Sequence, residues 1–123
     1  MTRLDRIDYV ELAATDMSAA KAFYRAVFGW KFEDYGPDYA SFKEGRLAGG
    51  LTTQRQPAKL GAGTLIVFLA DDLRGTQKRV VVAGGKVTTE LFEFPGGQRF
   101  HFSDPSGNEL AVWAPLEQSL GNE

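Results

Sequence analysis

The chain has 123 residues, of which 43% are hydrophobic and 24% charged, the balance of one ordinary globular domain. A net charge of -2, with no long run of one sign, leaves no electrostatic footprint for nucleic acid. The absence of cysteine excludes disulfides and thiolate metal sites. No stretch approaches the roughly 20 apolar residues that span a bilayer, and the opening residues hold no apolar run of signal-peptide length. The expectation is one cytoplasmic domain over residues 1–123, with no nucleic-acid or membrane partner.

Residues 7–13 alternate as a strand, with Tyr9, Glu11 and Ala13 on one face and Val10 and Leu12 on the other. Asp16 then caps a helix over residues 17–28, where Met17, Ala20, Phe23, Tyr24, Val27 and Phe28 recur at helical spacing. Gly29 ends it, being the residue that best tolerates a left-handed turn. Strands are expected over 30–35, 39–44 and 47–53, separated by Gly36-Pro37-Asp38 and Glu44-Gly45. Residues 54–63, polar or small with Pro57 as the one proline, form a linker between two halves.

The second half repeats this order. A strand over 64–70 is followed by a helix over 73–83, capped by Asp71 or Asp72 and ended by Gly84-Gly85. Gly75 weakens that helix by about 1 kcal/mol relative to alanine. Strands follow over 86–94, 98–103 and 109–113, the last two joined by the turn Asp104-Pro105-Ser106-Gly107-Asn108. Asp16 and Asp72 lie 56 residues apart, and the same offset relates Leu12 to Phe68, Met17 to Leu73 and Gly29 to Gly85. Strand end, cap, first helical apolar residue and terminating glycine therefore coincide, which marks an internal duplication. The fold class is α+β: two tandem β-α-β-β-β units, about 6–54 and 64–115. A helix covers one face of each sheet, so the other faces form a curved, incomplete mixed-sheet barrel with a concave interior.

The residues Tyr9-Val10-Glu11-Leu12, Thr15-Asp16, Ala22-Phe23-Tyr24 and Phe28-Gly29-Trp30 resemble the vicinal oxygen chelate superfamily, also called the glyoxalase / bleomycin resistance / dioxygenase superfamily. In the second half Ala83-Gly84-Gly85-Lys86-Val87 and Phe102-Ser103-Asp104-Pro105-Ser106-Gly107-Asn108-Glu109 carry the likeness, which runs from about Arg6 to Pro115. It is strongest to the compact glyoxalase-related group widespread in bacteria. The resemblance implies four metal positions, at Tyr9, Gly50, Leu65 and Ala111. Leucine, alanine and glycine offer no donor, and the phenol of Tyr9 must ionise before it can bind a metal. With a single histidine, a two-histidine site cannot form in one subunit. The expectation is no metal and no cofactor, with a relocated carboxylate site as the alternative.

Candidate ligand-binding residues are Tyr9, Glu11, Arg99, His101 and Trp113, with Glu11 and His101 as candidate proton carriers. An inward Glu11 needs a partner or a ligand, because buried glutamates are seldom unpaired; at the rim it is simply solvated. Histidine titrates near neutral pH, so His101 can serve as a proton carrier, or it can be a hydrogen-bonded surface histidine. Trp113 with Tyr9 could stack a flat or cationic ligand, or serve core packing or a dimer contact. Trp30 reads as structural. Gly84-Gly85 and Gly96-Gly97 lack the strand-loop-helix setting of a phosphate loop, and no nucleophile-base-orienter set is visible. Three functions compete. A metal-free protein would bind a small molecule, as bleomycin-resistance proteins sequester aromatic or cationic drugs. An acid-base enzyme would use Glu11 or His101. A metal-dependent lyase would follow the resemblance to lactoylglutathione lyase. The resemblance also implies a homodimer.

Overall fold

The computed structural model describes residues 6–116. Strand β1 (Tyr9–Ala13), helix α1 (Met17–Phe28) and strands β2 (Phe32–Asp34), β3 (Tyr39–Glu44) and β4 (Leu47–Thr52) make the first unit. Strand β5 (Ile66–Leu69), helix α2 (Leu73–Val82) and strands β6 (Lys86–Phe94), β7 (Gly97–Ser103) and β8 (Glu109–Pro115) make the second. The first sheet runs β1-β4-β3-β2 and the second β5-β8-β7-β6, so the strand order is the same in both. β1 pairs parallel with β4, as β5 does with β8, and the other pairings are antiparallel. The sheets do not close into a barrel.

The duplicated N-caps act as expected, while α2 is capped by Ala83 and its left-handed turn falls on Gly84, one residue before the position that matches Gly29. Asp16 Oδ1 accepts the Ala19 N–H and Asp72 Oδ1 accepts the Gly75 N–H, both at 3.0 Å. A side chain at residue 75 would strike the Asp72 carboxylate, which explains a glycine inside the first turn of α2. Gly29 adopts φ 71°; its N–H reaches back to the Arg25 carbonyl and the Trp30 N–H to the Tyr24 carbonyl.

That reversal shortens the expected strand at 30–35. Trp30 turns into the core, stacked on Phe42 at 3.8 Å and Tyr24 at 4.7 Å, and its Nε1–H donates to Glu44 at 3.0 Å. The ladder starts only at Phe32, opposite Phe42. β1 likewise starts at Tyr9, because Ile7 projects into solvent. β5 spans only Ile66–Leu69, following the turns at Gly61 and Gly63.

One hydrophobic core serves both units. Leu12, Phe23, Tyr24, Phe42 and Leu51 of the first pack with Val80, Phe100, Phe102, Leu110 and Val112 of the second. Phe28 stacks on Phe68 at 4.0 Å across the boundary.

Polar bonds reinforce this seam. Asp104 accepts from the Tyr24 hydroxyl (2.6 Å), the Ser106 and Asn108 N–H groups (2.9 and 3.0 Å) and the Asn108 amide (2.9 Å). The same amide donates to the Ala13 carbonyl at 2.8 Å, and the Asn108 Oδ1 accepts the Ala58 N–H at 2.9 Å. Ser106 Oγ accepts the Thr15 N–H at 2.9 Å. The turn before β8 thus holds α1, β1 and the connecting segment. Burial first, then the Asp104 charge, holds the Tyr24 phenol well above its ordinary pKa, so it remains a donor.

Candidate functional site

Alternation along the strands decides which side chains leave the core. In the first sheet Val10, Leu12, Phe42 and Leu51 face the core, so Tyr9, Glu11, Tyr39 and Gly50 share the opposite face. In the second, Phe100, Phe102, Leu110 and Val112 face the core, leaving Arg99, His101, Ala111 and Trp113 opposite. The five candidate residues therefore all lie away from the core, in two clusters.

In the first cluster Tyr9 and Tyr39 share a hydrogen bond between their hydroxyls at 2.6 Å, and the Tyr39 hydroxyl donates to Glu11 Oε2 at 2.9 Å. Tyr9 therefore donates to Tyr39, and the chain of bonds ends on the Glu11 carboxylate. Burial, with the bonds to Tyr9 and Glu11, raises the Tyr39 phenol well above its ordinary value. Its ring lies across Gly50, where a Cβ would coincide with the phenol oxygen. Glycine at 50 is thus the vacancy that Tyr39 fills. Glu11 also lines a cleft of about 450 Å³ between the units, with Val10, Arg55, Ile66 and Asn108.

In the second cluster His101 Nδ1 lies 2.7 Å from Glu109 Oε2, and the Glu109 Oε1 accepts the Gly61 N–H at 2.8 Å. Both side chains of the dyad are largely buried. Arg99 stands over the rings of Phe92 (5.5 Å) and Phe94 (5.7 Å), and Phe94 meets Trp113 at 6.0 Å. His101 Nε2 and Arg99 Nε are buried with no hydrogen-bond partner among the described residues.

The ring neighbour of Trp113 is therefore Phe94, while Tyr9 is bound to Tyr39. No ring contact joins Tyr9 to Trp113 among the described residues. Arg99, His101 and Trp113 do not line the cleft that holds Glu11. Sequence reasoning missed Tyr39, Glu109, Phe92 and Phe94. Glu109 was within reach, since Ser103 opposes it across the β7–β8 hairpin and His101 lies diagonally next to it.

Hydrogen bonds from Gly61 and then His101 hold the Glu109 carboxyl below its ordinary value, against the opposing effect of burial. A folded value below the unfolded one adds stability that is complete above the unfolded pKa, near 4.5. That contribution is lost as pH falls through the folded value. Glu109→Gln is expected to lose about 1–2 kcal/mol at pH 7, the worth of two charge-assisted bonds. The gap from the parent should shrink as urea titrations move from pH 6 toward pH 3; a constant gap would contradict this assignment.

The metal positions implied by the resemblance are Tyr9, Gly50, Leu65 and Ala111, and this donor set does not fit a transition metal. Three of the four bear no donor, and the Tyr39 ring takes the space above Gly50. Among the described residues no three histidine, aspartate or glutamate side chains converge.

Two tandem β-α-β-β-β units with one strand order and a shared core define a glyoxalase-type fold. The model of the Glyoxalase/Bleomycin resistance protein/Dioxygenase superfamily matches residues 6–112, and the chain belongs to that superfamily. CFP32 of Mycobacterium tuberculosis, assigned by name to the glyoxylases, is 30% identical over 115 residues, covering 86% of this chain and 44% of that protein. The anthracycline biosynthesis protein DnrV of Streptomyces peucetius is 30% identical over 124 residues, covering 85% of this chain and 45% of that protein. The chain thus spans less than half the length of either relative. A glyoxalase-related enzyme from Fulvimarina pelagi superposes with a TM-score of 0.76 at 19% identity, over 90% of this chain and 88% of that one. Lactoylglutathione lyase from Agrobacterium tumefaciens gives 0.71 at 24% identity, over 91% and 95%. The two solved structures share its fold. No helix among the described residues is long and apolar enough to cross a membrane.

Proposed function

We propose that this chain binds a small organic molecule on the helix-free faces of its sheets without the metal of its superfamily. The observation that carries this reading is the pair of partnerless buried nitrogens, Arg99 Nε and His101 Nε2, set on one strand face beside Phe92, Phe94 and Trp113. Buried polar atoms without partners are costly, and a ligand that supplies the partner recovers that cost. Aromatic walls with a few placed polar groups are the usual composition of a ligand site.

The test is a metal assay on purified protein, before and after incubation with zinc, nickel and iron, followed by a thermal-shift screen with small metabolites. The expected result is less than a tenth of an equivalent of each metal, and a raised melting temperature with at least one metabolite. Stoichiometric retention of a transition metal would overturn the reading.

A second reading is a proton-transfer enzyme, and the His101–Glu109 dyad favours it. A carboxylate that fixes an imidazole tautomer leaves the far nitrogen as a base, the arrangement general acid-base catalysis requires. Turnover of a screened compound that falls at least a hundredfold in His101→Ala would select this reading; binding without turnover selects the first.

A further inference from the structure

Arg99 lies on the β7 face, directly opposite Trp113 on β8 and Phe92 on β6. Its guanidinium is half-buried and stands against the Phe92 and Phe94 rings. Ring faces attract a cation but accept none of its directed N–H bonds. Among the described residues no carboxylate pairs with Arg99: the ion pairs are Lys21–Asp34 and His101–Glu109. The Arg99 charge acts on Glu109, yet the two Glu109 oxygens already serve Gly61 and His101. A partly desolvated guanidinium with no ion-pair partner among the described residues is a ready site for an anionic ligand.

His101, two residues along the same face, calls for the opposite. Glu109 is held ionised by its bonds and can only accept. The neutral imidazole therefore carries its one proton on His101 Nδ1, facing Glu109, and leaves a lone pair on Nε2. That lone pair is buried without a donor. One strand face thus offers a donor for an anion, an acceptor for a hydroxyl, and aromatic surface next to both.

We propose that this face binds a small hydroxy-carboxylate with a flat apolar body, its carboxylate on Arg99, its hydroxyl donating to His101 Nε2, and its ring against Phe92 and Trp113. The proposal rests on the metal-free binding reading above and names its ligand class.

Isothermal titration of the full chain with four compounds tests it: mandelate, phenylacetate, which lacks the hydroxyl, mandelamide, which lacks the charge, and benzyltrimethylammonium, which reverses it. Mandelate is expected to bind saturably, and phenylacetate and mandelamide each about tenfold more weakly, the worth of one directed polar contact. Arg99→Met should erase the preference for mandelate over mandelamide but keep that over phenylacetate. His101→Leu should do the reverse. Within-variant preferences separate the two contacts from general damage; if either variant does not fold, the comparison of ligands on the parent chain decides. Equal affinity for mandelate and mandelamide, or preferences untouched by both substitutions, overturns the ligand class. Tighter binding of the cation or of mandelamide also overturns it but leaves small-molecule binding standing. Failure of all four compounds to bind at millimolar concentration overturns the ligand class. With a blank metabolite screen as well, it removes the binding reading too.

Discussion

Asp104→Ala is expected to destabilise the fold by about 4 kcal/mol, on the order of 15 °C in melting temperature. Asp104 is buried and gathers bonds from Tyr24, Ser106 and Asn108. Alanine leaves the Tyr24 hydroxyl without an acceptor in the core and the Asn108 amide with the Ala13 carbonyl alone, and orphaned buried donors carry the full desolvation penalty. The damage is not local, since Tyr24 belongs to the helix of the first unit and Asp104 to a turn of the second. Tyr24→Phe, which keeps the ring in place, should lose about 1–2 kcal/mol. Urea denaturation monitored by far-ultraviolet circular dichroism reads both. A loss under 1 kcal/mol for Asp104→Ala would mean that the turn does not hold the units together.

Trp30→Ala is the second large effect, at about 3–5 kcal/mol. Trp30 is only 5% exposed and is stacked between Phe42 and Tyr24, with Phe28 and Phe68 within 6.0 Å. Its removal opens a cavity where helix, first sheet and second unit meet, walled by rings that cannot collapse inward without losing their own stacking. Trp30→Phe should recover most of the loss. It gives up the bond to Glu44, whose exposed carboxylate water can satisfy, and the part of the indole that a phenyl ring does not fill. Should Trp30→Ala melt within a few degrees of the parent, the stack is not a cornerstone of this core.

Much of this architecture was legible because punctuation and periodicity agree at every level. Asp16 and Gly29 bound α1 as read, and Asp72 performs the same capping in the second unit. The 56-residue offset appears in space as two sheets with one strand order. The missed details depend on tertiary contacts. A tryptophan after a helix end looks like the start of a strand until the core claims it. Asp104 reads as a turn residue bonding to its own backbone, which it does through Ser106 and Asn108. Its bond to Tyr24 joins residues 80 apart, and no local pattern announces such a partner. The candidate site was half visible. Alternation put Arg99 and His101 on one face, but Tyr39 enters through a ring that lies over Gly50 on the neighbouring strand and reaches Tyr9 and Glu11 beyond it, which spacing cannot foretell.

The clasp around Asp104 also governs timing. Ala13 meets its partner Asn108 at a separation of 95 residues. At roughly 5–20 residues per second of synthesis, that is about 5–19 seconds between emergence of the two groups. Through that interval the nascent first unit stands on the ribosome with Phe28 lacking the Phe68 surface or Tyr24 lacking its acceptor. The leading half is a waiting half-structure, exposed to chaperones and proteases until the closing turn arrives.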